Sequence, residues 1–120
     1  MHITVVGTGY VGLVTGAGLA DFGLDVTCVD SDEAKINMLQ QGRMPIYEIG
    51  LEEIVRRNVA NKRLHFSSDV VSAVKQSLVV FIAVGTPSAQ DGSADLSYVL
   101  EAAKQIGAAL THFTRCRYAF

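Results

Sequence analysis

Gly7-Thr8-Gly9-Tyr10-Val11-Gly12 is the stretch whose residue types and spacing most directly suggest chemistry. It reads G-x-G-x-x-G, between an apolar, β-branched run at residues 3–6 and an Ala, Leu and Gly-rich stretch at 11–22. After a strand and at the opening of a helix, that spacing suits a pyrophosphate. Gly7 allows the tight turn, Gly9 lets backbone approach the phosphates, and Gly12 lets the helix pack closely on the strand. The helix start adds N–H groups and the positive end of a dipole. The competing reading is a strand–helix turn that uses glycine for geometry alone. Asp30, which closes a second apolar run, argues against it. The dinucleotide fingerprint places an acid on the adenosine ribose roughly 20 residues beyond the glycines. A carboxylate there repels a 2′-phosphate, so NAD is favoured over NADP. The alternative for Asp30 is a turn residue or helix cap. Lys35 could reach the ribose or a phosphate, or be a solvated helix residue; spacing leaves these open.

A second candidate is Val84-Gly85-Thr86-Pro87, which follows the apolar run 78–84. Ligands of open α/β sheets cross the carboxyl ends of the strands. Gly85 and Thr86 there would present backbone and a hydroxyl to the cofactor; an ordinary proline-stiffened loop exit is the alternative. Other chemistry-bearing residues read as structural. His2, His65 and His112 share no spacing with each other or with an acid, and Glu52-Glu53 open a helix, where acids suit the dipole. Arg56, Arg57, Lys62 and Arg63 read as a solvated face. Cys28 lies in an apolar run and reads as a small buried hydrophobe. No catalytic residue and no metal site is expected.

These residues need a scaffold, and the chain alternates β-rich runs with helical stretches. Strands are expected at 3–6, 26–29, 64–66 and 78–84, and helices at 11–22, 32–41, 51–59, 69–75 and from 95 or 97 to 110. Gly23 and Gly42 are helix stops, and Ser31 or Asp32 and Ser68 or Asp69 are caps. The 43–50 loop carries Pro45 and Gly50. Alternating strands and helices mean βαβ units and a parallel sheet. The expected fold is α/β, a Rossmann-type doubly wound parallel sheet, truncated near its fifth strand. The run 78–84, apolar on both faces, is expected in mid-sheet.

With 120 residues the chain is one domain at most. Hydrophobic residues at 49% and charged residues at 18% exclude disorder. A net charge of −2 with scattered basic residues gives no footprint for nucleic acid. No apolar run approaches the ~20 residues of a membrane span. No secretory signal is visible before the first strand, and Cys28 and Cys116 lack metal spacing, so reduced thiols and a cytoplasmic setting are expected.

Beyond the glycine loop, the segments ITVVGTGYVGLVTGAGLADFG, VTCVD, PIYEIGLEEI, FIAVGTPS and DGSADLSYV resemble the N-terminal part of the UDP-glucose/GDP-mannose dehydrogenase family. The likeness is strongest to bacterial members that act on UDP-glucose and spans about residues 1–110. It implies oxidation of C6 of a nucleotide sugar from alcohol to acid with two NAD⁺. By position, Gly7, Gly9, Tyr10, Val11 and Gly12 would hold the pyrophosphate, Asp30 and Lys35 would contact the ribose, and Thr86 would lie near the cofactor. Ile49 stands where the family's loop has a second proline. The family's Lys-Ser-Thr-Val-Pro turn and catalytic Cys have no counterpart in THFTRCRYAF, and Cys116 has the wrong neighbours. Residues 1–120 are therefore expected to be an incomplete NAD-binding domain, without the central helix and the substrate or UDP-binding domain. The chain alone is expected to be inactive, the nucleotide sugar binding only to the full-length enzyme. An exposed sheet edge is expected to favour self-association. The alternatives are a stand-alone NAD-binding or regulatory module, or a fragment of a GDP-mannose or UDP-N-acetylmannosamine dehydrogenase. A hydroxyacyl or 6-phosphogluconate-type dehydrogenase is disfavoured by the PIYEIGL loop and the GTPS turn.

Overall fold

The structure, a computed structural model, describes residues 1–110. Cys116, His112 and the segment expected to follow the last helix lie outside the described residues. The element order is β1 (His2–Val6), α1 (Tyr10–Asp21), β2 (Asp25–Val29), α2 (Glu33–Gln40), α3 (Leu51–Ala60), β3 (Leu64–Ser67), α4 (Val70–Lys75), β4 (Val79–Ile82) and α5 (Ser97–Ala109). The sheet is parallel, in the order β3-β2-β1-β4. The expected Rossmann-type α/β arrangement is present, with four strands among the described residues.

Two apolar layers sandwich the sheet, which is why β1 and β2 read as nearly unbroken runs of buried residues. One layer joins Val5, Leu13, Ala17, Val26, Val55 and Leu64 between the sheet and helices α1 and α3. The other joins Val6, Val29, Val74, Val80, Ile82 and Ile106 beneath α4 and α5.

Local signals set the element ends. Gly23 takes φ +100° and donates to Ala20 O at 2.9 Å, while Leu24 N–H donates to Leu19 O at 3.2 Å. This paired pattern closes α1 and requires a residue tolerant of positive φ. Gly42, at φ +81°, closes α2 in the same way. Asp32 and Asp69 cap α2 and α4 by accepting backbone N–H groups.

Strand β4 departs from expectation. It runs only from Val79 to Ile82, with Val79 and Phe81 half-buried and Leu78 exposed. Among the described residues it pairs with β1 alone and ends the four-strand order. Arg56, Arg57 and Lys62 are exposed, as expected, and Arg63 is partly buried. Arg57 donates to Asp21 Oδ1 at 2.7 Å, and Arg63 reaches the buried Asn58 Oδ1. Asn58 Nδ2 donates to the same Asp21 oxygen at 3.0 Å, tying α3 to the end of α1.

Candidate functional site

A cleft of about 580 Å³ opens at the carboxyl ends of β1, β2 and β4. Gly7, Thr8 and Gly9 form one wall, Asp30, Asp32 and Lys35 another, Val84, Gly85 and Pro87 a third, and Tyr98, Glu101 and Ala102 of α5 complete it. A larger hollow, about 1020 Å³, lies along residues 44–57. Its lining includes no strand or glycine-loop residue, whereas ligands of open α/β sheets gather at the strand ends.

The glycines divide their tasks. Gly7 leaves β1 at φ +110° and donates its N–H to Val29 O at 2.7 Å. A Cβ there would come within 2.5 Å of Ala83 O, so this residue is wedged between the ends of β2 and β4. Gly12 is needed for contact with the turn itself: its Cβ would overlap the Gly7 carbonyl oxygen. The close packing of α1 on β2 falls to Gly16, whose Cβ would overlap Cys28 Sγ. Gly16 was not singled out by sequence reasoning; its signal is the four-residue step from Gly12 along one helix face. Gly9 differs from all of these. It is the N-cap of α1, with no side-chain cap, and a Cβ there would meet nothing within 4 Å. Backbone N–H groups at an uncapped helix start, beside open space, form an anion-binding position.

Asp30 is partly buried at the cleft wall. Its Oδ2 accepts from Thr8 N–H at 2.9 Å and Thr8 Oγ1–H at 2.7 Å, and its Oδ1 accepts from Asp32 N–H at 2.9 Å. Burial pushes this carboxyl upward. The hydrogen bonds from Asp32 and Thr8, with the nearby Lys35 charge, outweigh burial and hold it below the ordinary carboxylate value. The group is therefore an anion at neutral pH with acceptor capacity left over.

The structure thus gathers Gly7, Gly9, Asp30, Lys35 and Gly85 around one cleft. Tyr10 and Val11 are exposed in the first turn of α1 and do not line it. Gly12 lies buried beneath the turn, and Thr86 is exposed beyond the lining. Thr8, Tyr98 and Glu101 line the cleft and were missed; the last two share the i, i+3 face of α5 with Ala102 at i+4.

The remaining chemistry-bearing residues are placed elsewhere. Cys28 is fully buried, and burial pushes its thiol up to about 12, so it is no nucleophile at neutral pH. His2 and His65 do meet an acid, contrary to the reading from spacing. His2 Nδ1 lies 2.9 Å and His65 Nε2 3.2 Å from the carboxylate of Asp25, at the opposite end of the sheet. Among the described residues there is no cluster of His, Cys, Asp and Glu fit to hold a metal, and no helix long and apolar enough to cross a membrane.

Residues 1–114 match the profile of the UDP-glucose/GDP-mannose dehydrogenase family, NAD binding domain. A UDP-glucose 6-dehydrogenase of Rhizobium meliloti (strain 1021) is 58% identical over 115 residues, covering 95% of this chain and 26% of that protein. A UDP-glucose dehydrogenase from Pyrobaculum islandicum superposes with a TM-score of 0.87 at 43% identity, over 91% of this chain and 25% of that one. A GDP-mannose dehydrogenase from Pseudomonas aeruginosa, solved as a ternary complex, gives 0.92 at 36% identity, over 100% of this chain and 29% of that one. The chain thus spans about a quarter of the length of the relatives it matches.

Proposed function

This chain belongs to the UDP-glucose/GDP-mannose dehydrogenase family through its NAD binding domain, and from that premise we propose how its residues hold the cofactor and what the cofactor serves. The pyrophosphate lies on the uncapped start of α1, against the backbone of Gly7, Gly9, Tyr10, Val11 and Gly12. Tyr10 and Val11 act through their N–H groups, in keeping with side chains that face away from the cleft. Asp30 accepts from the adenosine ribose, Lys35 balances charge beside it, and Gly85 and Thr86 flank the far side. One observation carries this reading: an ionised, donor-held carboxylate and an obstruction-free Gly9 face the same cleft.

In a complete enzyme, UDP-glucose, two NAD⁺ and water would give UDP-glucuronate and two NADH. The cofactor supplies a hydride acceptor at this cleft. The chain's own residues bind and orient it. Among the described residues no thiolate is available as a nucleophile, because Cys28 is buried and protonated. The preference for UDP-glucose over other nucleotide sugars rests on the 58% identity to a UDP-glucose 6-dehydrogenase. Residues 1–120 belong to the cofactor domain, in a cytoplasmic setting, and the edge of β4, unpaired on its outer side among the described residues, favours self-association. A monomer independent of concentration in sedimentation would remove that last point.

The test is a calorimetric titration of the full chain with NAD⁺ and NADP⁺, together with an assay of UDP-glucose oxidation. Saturable NAD⁺ binding that exceeds NADP⁺ binding, with no turnover, is expected. Turnover by this chain alone would refute the division of labour.

A further inference from the structure

We infer that Thr8, the residue between the first two glycines of the loop, is a positioning residue that fixes the orientation of the Asp30 carboxylate and thereby sets the preference for NAD over its 2′-phosphorylated form. The inference rests on the reading that this cleft holds the adenosine ribose. Thr8 is fully buried, so its side chain acts through another group rather than on a ligand. Both of its donors, N–H at 2.9 Å and Oγ1–H at 2.7 Å, converge on Oδ2 of Asp30. The Asp32 N–H fixes Oδ1 at 2.9 Å.

A carboxylate has about four acceptor positions. Oδ2 is filled by Thr8, and Oδ1 keeps one position, which a ribose hydroxyl can use. Rotation of the carboxylate would break bonds at both oxygens and strand a buried hydroxyl. Protonation would set an O–H against donors. The charged groups around the same cleft are Lys35 and Asp32 on the α2 side and Glu101 on α5. A 2′-phosphate would therefore meet a negative charge that can neither swing away nor take up a proton cheaply. The backbone N–H of residue 8 is available from any side chain; the hydroxyl is what threonine adds.

The test compares the full chain with Thr8→Val, which keeps the shape and removes the hydroxyl, and with Thr8→Ser, which keeps the hydroxyl. Thr8→Ala replaces the valine variant if that one fails to fold. Two readouts are used: dissociation constants for NADH and NADPH by fluorescence, and a ¹³C titration of the Asp30 carboxyl without any nucleotide. The valine variant is expected to lose about tenfold in NADH-over-NADPH preference, the size of one charge-assisted hydrogen bond. Its Asp30 midpoint should rise toward the ordinary carboxylate value, while the serine variant stays within about twofold and keeps the wild-type midpoint. An unchanged midpoint in the valine variant overturns the inference whether or not nucleotide binds. So does an unchanged preference with a shifted midpoint. Failure of the wild-type chain to bind NADH, with the midpoint shifted as expected, refutes the ribose reading and with it the claim on specificity, leaving the clamp itself as a property of the fold.

Discussion

Strand β2 starts at Asp25 and is followed by Asp30, and the two ends of the sheet use their aspartates differently. Asp30 is held by two backbone N–H groups and one threonine hydroxyl, beside a glycine whose Cβ direction is open. Asp25 is held by two imidazoles, His2 and His65, reaching it from the neighbouring strands on either side. A carboxylate only accepts, so Nδ1 of His2 carries a proton, and its Nε2 lies 2.9 Å from Thr27 Oγ1. At that end the protein's own side chains supply the donors. At the other end the donors are largely backbone, and side chains are kept out of the way. A site is thus marked less by an acid at a strand end than by what the fold leaves beside it.

The strongest way to break this contrast is to remove each carboxylate in turn and measure NAD⁺ binding by calorimetry. Asp30→Ala should weaken binding roughly 10–100-fold, the range for hydrogen bonds to a charged group. Asp25→Ala should change it by less than about twofold, since nothing at that end lies near the cleft. Lys35→Ala belongs between them, nearer the small end, because a half-exposed charge in water contributes about 1 kcal/mol or less. Comparable losses from Asp30→Ala and Asp25→Ala would remove the distinction, and a larger loss at Lys35 than at Asp30 would remove the ribose assignment.

The second test separates glycines that build the cleft from the one that keeps it open. Gly12→Ala should cost about 1–3 kcal/mol in urea unfolding, because its methyl group would overlap the Gly7 carbonyl and the turn must shift. Gly9→Ala has open space around the new methyl group and should stay within about 0.5 kcal/mol of wild type, yet lose NAD⁺ affinity. If Gly9→Ala binds NAD⁺ normally, the phosphates do not approach that backbone.

These cases also show what the sequence could carry. The loop glycines, the strand-closing Asp30, and the Gly23, Gly42, Asp32 and Asp69 boundaries were legible because each belongs to a short pattern of residue types, a spaced glycine motif, a strand end, a helix stop or a cap. The His2–Asp25–His65 group was not, because its members stand 23 and 40 positions apart and only the parallel register aligns them. Thr8 was passed over as a variable position between glycines, since its role depends on where β2 ends relative to the loop. Tyr98 and Glu101 depend on the rotation of α5 about its axis. The run 78–84 reads as a longer strand than the Val79–Ile82 it forms, because composition marks an apolar stretch but not where its ladder pairing stops.

The smallest expected effect concerns pH and salt, and it turns on what holds each aspartate. The hydrogen bond from His2 lowers the Asp25 carboxyl most, against a smaller upward push from burial, with His2 and His65 charge adding to the lowering. A carboxyl lowered in the folded state stabilises the fold above its unfolded value, about 3.9, and loses that contribution as pH falls through the folded value. The same sign applies to Asp30. Asp25 is half-exposed, so Asp25→Asn should flatten the acid limb of the stability curve by less than about 1 kcal/mol. Salt should then part the two. Added salt screens the exposed imidazole–carboxylate pairs and shrinks the wild-type difference from Asp25→Asn. Backbone and hydroxyl donors carry no net charge, so the difference from Asp30→Asn should persist. Urea unfolding from pH 3 to 7, with and without added salt, reads both; equal salt sensitivity would mean that the two ends of β2 hold their acids by the same physics after all.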